Sequence, residues 1–373
     1  MKQFRIMPTI YQALNCKEFV QEFEIGKKDL ILTNEPYYSN YFSELVKDAH
    51  VVILQEYGQG EPTDLMVEAI WKDIKELDFT RVIAIGGGTI IDISKLLVQE
   101  TVSPVLDLYD KIIPTKKVRE LVIVPTTCGT GSEVTSVSVI ELVSRNTKMG
   151  LQTDEEFADC AVLIPELLEN LPFRFFAPSA IDALIHACES FLSPRANAFT
   201  ELFSKEAIKL ILTGFLKIRE SGEDARLEYM DQFLQASTYA GIAFGNAGCA
   251  AVHAMSLPFG GAHHVAHGEA NYALFTAVFK TYLRLKPVGK IQILNQLIAE
   301  CLSCEEDEVY QNLEDLLDCI LIRKPLSAYS VTQNEIITFT ENVMNKQGRL
   351  MANNYTELDS KTIMEIYETV YYA

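Results

Sequence analysis

The sequence predicts an α/β domain over residues 1–171 followed by an all-helical domain over residues 172–373. Three observations predict it. Short β-branched runs alternate with helical patterns only in the first part, two of those runs end in glycine-rich turns, and after LPFRFFAP (171–178) the strand signals fade into helical periodicity.

LILT (30–33), VVILQ (51–55), RVIAI (81–85), LVIVPTT (121–127) and AVLIP (161–165) read as strands, because β-branched side chains pack well on a pleated surface. DLMVEAIWKDIKELD (64–78) and IIDISKLLVQE (90–100) carry apolar residues three and four apart and read as helices. This alternation implies a mainly parallel sheet covered by helices. In the second part, TELFSKEAIKLILTGFLKIRE (200–220) and YMDQFLQASTYAGIAF (229–244) keep a helical period.

Composition narrows the class. Hydrophobic residues make up 48% and charged residues 22% of 373 positions, and no apolar run approaches the roughly 18 residues of a membrane span. A net charge of −19 repels nucleic acid and anionic membranes at long range. Eight cysteines lack the spacing of a disulfide framework and fit a reducing compartment; the close pair Cys301 and Cys304 has no partner pair with which to form a metal or redox motif. The start, MKQFRIMPTIYQ, has no apolar signal segment, so the expected location is the cytoplasm.

Gly86-Gly87-Gly88-Thr89 follows the RVIAI strand directly and opens the next helix. Consecutive glycines let a backbone approach a diphosphate, and a helix N-terminus offers unpaired N–H groups and a positive dipole end. PTTCGTGSEVT (125–135) repeats the arrangement after the LVIVP strand, with hydroxyls at Thr126, Thr127 and Thr130. Neither turn is the G-x-G-x-x-G fingerprint, but two such turns in one sheet point to a dinucleotide.

The helical half carries a different constellation. Asp182 and His186 lie four residues apart in SAIDALIHACESF, on one helix face. Such a pair is weak evidence alone. Four of the six histidines, however, fall between His253 and His267, and one carboxylate with three imidazoles suffices to hold a divalent ion.

These motifs together resemble the iron-containing, group III, alcohol dehydrogenase family. GGGTIIDISK is similar to its phosphate-binding turn and PTTCGTGSEVT to its second turn. DALIH is similar to its first metal-ligand pair, and AGIAFGNAGCAAVHAMSLPFGG followed by HG to the stretch that supplies two more histidines. ILTNE, YGQGEP, HGEANY, RKPL and NNY resemble in particular the members acting on 4-hydroxybutyrate.

The resemblance implies an N-terminal dinucleotide-binding domain and a C-terminal all-helical metal- and substrate-binding domain, with the active site in the cleft between them. It implies Asp182, His186, His253 and His267 as metal ligands, the cofactor diphosphate on Gly87, Gly88 and Thr89, and Asp92 beneath that turn. Thr126, Thr127 and Thr130 would face the cofactor, with Lys148 nearby. An ion held by one carboxylate and three neutral imidazoles keeps a net charge of about +1 and an open position, and so acts as a Lewis acid on an alcohol or aldehyde oxygen during hydride exchange with a nicotinamide. Fe(II) suits this donor set, and Zn(II) competes on affinity.

Three positions bear on the details. Where many members carry a further histidine four residues after the third ligand, this chain has Leu257; His264, then His263, are the substitutes for proton transfer. Where the family often has an aspartate that repels a 2′-phosphate, this chain has Asn34 followed by Glu35, which predicts NAD rather than NADP. A carboxylate on the substrate requires cations or amides, for which Arg349, Asn353, Asn354, Arg323 and Lys324 are the candidates. The expected reaction interconverts 4-hydroxybutyrate and succinate semialdehyde. The alternatives are an uncharged alcohol or diol such as 1,3-propanediol, and a metal-dependent lyase resembling dehydroquinate synthase. The expected partners are a small-molecule substrate and further copies of the chain in a homo-oligomer.

Overall fold

A computed structural model describes residues 3–372 and divides the chain into two compact units. Ile6–Leu171 form one, and the chain from Pro172 onward, with the N-terminal segment ending at Arg5, forms the other.

The first unit contains strands β1 (Thr9–Gln12), β2 (Asp29–Thr33), β3 (His50–Ile53), β4 (Arg81–Gly86), β5 (Glu120–Pro125), β6 (Val137–Leu142), β7 (Thr147–Gln152) and β8 (Cys160–Leu163). Six of them make a parallel sheet in the order β1-β8-β5-β4-β2-β3. The central strands β2, β4 and β5 are buried along nearly their whole length, which is why they read as continuous β-branched runs rather than alternating ones.

Register decides where the turns emerge. Leu32 pairs with Ala84 and Ala84 with Ile123, so Asn34, Gly87 and Thr126 leave the sheet at the same, carboxyl, end. From β2 the chain moves to β3 on one side; from β4 it moves to β5 on the other. The switch in direction lies between β2 and β4, where open α/β sheets form a ligand crevice. The Gly88–Leu97 helix packs Ile90, Ile93, Leu96 and Leu97 into one core with Val82, Ala84, Leu121 and Ile123, anchoring the first glycine-rich turn to the sheet.

All five expected strands are present. Two features were not anticipated: the edge strand β1, and an antiparallel hairpin of β6 and β7 turning through Asn146 in the left-handed region. All four β1 residues are exposed, so no burial pattern marks it. In β7, TKMGLQ mixes lysine, glycine and glutamine, residues poor in strand preference.

Beneath the first turn lies a buried polar cluster. Lys95 Nζ donates to Ser132 Oγ at 2.8 Å, Thr135 Oγ1 at 3.2 Å and the Val137 carbonyl at 2.7 Å. Asp92 accepts from Ser132 Oγ and from the Val139 N–H, both at 2.9 Å, tying helix, second turn and hairpin together. Glu156 is fully buried and neither of its carboxylate oxygens has a hydrogen-bond partner. Burial pushes its carboxyl up to about 8 although Lys95 pulls it down.

The second unit is helical throughout. Its central Phe173–Leu192 helix is buried at every residue from Ala180 to Leu192, as expected of a helix surrounded by others. Around it pack Ala198–Ser221, Met230–Ala247, Ala251–His263 and His267–Leu285 among others. Among the described residues no single helix is long and apolar enough to cross a membrane.

Glu156 yields a signed prediction. A folded-state pKa above the unfolded value means the native chain holds more protons than the unfolded one, so stability falls as pH rises between about 4.5 and 8. Glu156→Gln removes this loss: its stability advantage over the parent, measured by urea unfolding, should widen by at least about 1 kcal/mol between pH 5 and pH 8. A constant difference would contradict the assignment.

Candidate functional site

On the first unit the two glycine-rich turns interlock. The Thr126 N–H donates to the Gly86 carbonyl at 3.1 Å. A Cβ at Gly87 would lie 3.2 Å from Thr127 Cγ2, and one at Gly88 3.2 Å from Thr130 Cγ2, so side chains there would press into the neighbouring turn. The residues fit a diphosphate: an unencumbered backbone at the start of a ten-residue helix, flanked by half-buried threonines. Asn34 stands half-buried at the end of β2, across the switch point, and makes no capping bond with its side chain. Glu35 is exposed and accepts from Ser39 Oγ.

The YGQGEP segment covers the edge of this turn. Thr89 Oγ1 donates to the Gly60 carbonyl at 2.9 Å, Lys148 pairs with Glu61, and the Glu141 N–H donates to the Pro62 carbonyl at 2.8 Å. Thr89 and Lys148 are thus engaged with the loop, and Asp92 with the protein interior.

On the second unit Asp182, His186, His253 and His267 converge, with one ligand atom from each lying within 4.8 Å of all the others. Three helices bring them together. Phe173–Leu192 supplies Asp182 and His186, Ala251–His263 supplies His253 on its first turn, and His267 opens His267–Leu285. His186 Nδ1, His253 Nε2 and His267 Nε2 lie 3.9, 3.7 and 3.9 Å from the Asp182 oxygens. These separations are too long for hydrogen bonds and close to the roughly 3.4 Å that separates two ligands about 2.1 Å from one tetrahedral ion. His253 Nε2 is buried without a hydrogen-bond partner, an arrangement that costs free energy unless something binds there. The donor set therefore fits a divalent ion. Three of the four residues are buried and His267 is partly exposed, leaving one open side.

The electrostatics agree with that geometry. Burial raises the Asp182 carboxyl, but His186, His267 and His253, with a 2.7 Å bond from Asn271 Nδ2, outweigh it and hold the group below the ordinary carboxylate range. Burial lowers the His253 imidazole; Cys249 and Glu189 more than offset this and lift it well above the ordinary value. The rings stack, His186 on Phe244 at 4.3 Å and on His253 at 4.6 Å between centroids.

Comparison with known proteins places this geometry. The sequence profile of the iron-containing alcohol dehydrogenases matches residues 9–165, and that of the Fe-containing alcohol dehydrogenase family, C-terminal, matches residues 176–371. The chain belongs to the iron-containing alcohol dehydrogenase family. It is an alcohol dehydrogenase. It is 47% identical over 371 residues, covering all of both chains, to the 4-hydroxybutyrate dehydrogenase of Clostridium kluyveri. It is 33% identical to long-chain-alcohol dehydrogenase 1 of Geobacillus thermodenitrificans over 79% of this chain and 75% of that one. Its fold matches the sulfoacetaldehyde reductase from Bifidobacterium kashiwanohense, solved in complex with NAD+, with a TM-score of 0.85 at 21% identity over 100% of this chain and 99% of that one.

In this alcohol dehydrogenase the two histidines proposed for proton transfer are placed differently. His263 Nε2 lies 3.1 Å from Glu335 Oε1, within the cap of the Gln333–Lys346 helix, which makes it a tie between helices. His264 caps Ala251–His263 in the left-handed conformation and is exposed. Among the carboxylate-binding candidates, Arg323 bonds Glu314 at 3.0 Å and Thr276 at 2.9 Å, Lys324 pairs with Glu269 at 3.0 Å, and Asn353 donates to the Cys249 carbonyl at 3.0 Å. Asn354 accepts from the Tyr282 hydroxyl at 3.0 Å, and Arg349 is exposed.

The enzyme's site also holds two supporting residues that are not among the expected ligands, Asn271 and Glu189. Asn271, four residues after His267, donates to Asp182 and is oriented by Ser256 Oγ. Glu189, three residues after His186, lies 2.6 Å from His253 Nδ1. Both were legible as extensions of a helical stripe. Gly268 explains the glycine after the last histidine: a Cβ there would lie 2.1 Å from the Pro178 carbonyl oxygen. Gly268→Ala should therefore force two ligand helices apart and destabilise the protein by about 3 kcal/mol in urea unfolding. Gly261→Ala, where a Cβ meets nothing within 4 Å, should be nearly neutral. Equal effects would contradict the close-approach argument.

Proposed function

We propose that this alcohol dehydrogenase interconverts 4-hydroxybutyrate and succinate semialdehyde, using NAD(H) and a divalent metal ion. The observation that carries the substrate is the 47% identity spanning all of both chains with a 4-hydroxybutyrate dehydrogenase. The observation that supports the metal is the convergence of four ligand atoms about the unpartnered His253 Nε2. Asp182, His186, His253 and His267 would hold the ion, Fe(II) by preference with Zn(II) competing. When bound, it supplies Lewis acidity to the oxygen of the substrate.

The remaining work belongs to the chain. Asp182 supplies the negative charge of the donor set, and Asn271 holds the carboxylate in one orientation. Gly87, Gly88 and the Thr127 and Thr130 side chains form the diphosphate cradle, and Asn34 with Glu35 disfavours a 2′-phosphate. NAD(H), when bound, carries the hydride. With Leu257 unable to relay a proton and His263 held by Glu335, the exposed His264 or solvent carries the proton. Eight free cysteines support a cytoplasmic location.

We also propose a homo-oligomer. Its support is β1, an edge strand of a parallel sheet exposed at all four residues, with Ile10 and Tyr11 among them. Light scattering on the purified protein should give a mass above the 41.9 kDa of one chain; that mass itself would refute the proposal.

The deciding assay uses anaerobically prepared protein and follows NADH formation. 4-Hydroxybutyrate should give a kcat/KM at least tenfold above those of 1,3-propanediol and ethanol, and NADH should show a lower KM than NADPH in the reverse direction. Faster turnover of the uncharged alcohols would replace the substrate, and a lower KM for NADPH would replace the cofactor.

A further inference from the structure

We infer that Glu189 is a positioning residue that fixes the His253 ring so that Nε2, and not Nδ1, is offered to the ion; this rests on the metal reading above. Glu189 is fully buried on the stripe that carries Asp182 and His186. Its Oε2 accepts from the Ala250 N–H at 2.9 Å and lies 2.6 Å from His253 Nδ1, while its Oε1 accepts from the Val252 N–H at 2.6 Å.

Ala250 is the N-cap of the Ala251–His263 helix, and Val252 and His253 stand on its first turn. The N–H groups at such a start have no partner within the helix, and a carboxylate there also meets the positive end of the dipole. One side chain from a neighbouring helix thus does two things. It sets where the ligand helix begins, and it holds the ring of the histidine on that first turn. With Nδ1–H held by a carboxylate, the lone pair is at Nε2, the buried atom without a hydrogen-bond partner.

A second arrangement competes. Glu189, Cys249 and His253 also bring ligand atoms within 4.8 Å of one another, which would place an ion on the Nδ1 side. The hydrogen bonds decide against it. Both Glu189 oxygens already accept backbone N–H groups, and an ion drawing them away would leave buried donors unsatisfied. Nε2 has no such commitment.

The test uses the full chain, loaded with NMR-active cadmium and carrying isotope-labelled histidine, with His253→Gln to assign the signal. The expected result is metal coupling at His253 Nε2 with the proton on Nδ1. Glu189→Gln keeps the shape of the side chain but presents an amide N–H to groups that donate, so chelator competition should show cadmium and zinc bound about 10- to 100-fold more weakly. Coupling through Nδ1, or unchanged affinity in the variant, overturns the inference while leaving the metal site standing. Coupling to no histidine overturns both. If the variant does not fold, the coupling pattern of the parent protein decides alone.

Discussion

The helical unit is built around one electrostatic constraint, a carboxylate buried inside its central helix. Asp182 lies among thirteen consecutive buried residues, where an unpaired charge would cost several kcal/mol. Most of its compensation comes from other helices, two imidazoles from beyond residue 250 and an amide from Asn271, and a third imidazole comes from the next turn of its own helix. Each compensating group needs its own support. Ser256 orients Asn271, Glu189 holds His253, and Gly268 lets the helix that begins at His267 pack against Pro178, where a Cβ would clash with the carbonyl oxygen. The packing of this unit and its polar chemistry are therefore one arrangement, since moving any of these helices uncovers the carboxylate.

The sheet unit meets a different constraint. Its two turns present bare backbone at the switch point of a parallel sheet whose central strands are buried; the Thr126 N–H bond to the Gly86 carbonyl ties them together, and the Thr127 and Thr130 methyl groups occupy the space that side chains at Gly87 and Gly88 would need. The polar cluster of Asp92, Lys95 and Ser132 holds the second turn and the hairpin from below. Polar groups that motif matching would assign to ligand contact serve here as internal ties. On the proposed reading, a diphosphate here would be held by main-chain N–H groups rather than by side-chain charge.

Much of this was legible in the sequence. Buried parallel strands show as β-branched runs because both faces are covered, and Asp182 with His186 follows from helical spacing. The histidine cluster at 253–267 pointed to the remaining ligand atoms that the structure brings together. Exposed β1 and the glycine-containing β7 carry no such pattern and were missed. Pairings made by tertiary contact were also beyond reach. His263 meets Glu335 across 72 positions, and Lys148 meets Glu61 only because the hairpin returns beside the YGQGEP loop. Glu189 and Asn271 stood one helical step from residues already singled out, so they were within reach of the spacing rule.

The Asp182 cluster is proposed to hold a functional divalent ion. Elemental analysis of anaerobically purified protein, paired with the same measurement on Asp182→Asn, tests it most directly. The parent should carry about one ion per chain, and the variant, folded by circular dichroism, should lose both the ion and alcohol oxidation. A variant that keeps its full metal complement, or a metal-free parent that oxidises alcohol at the undiminished rate, would contradict it.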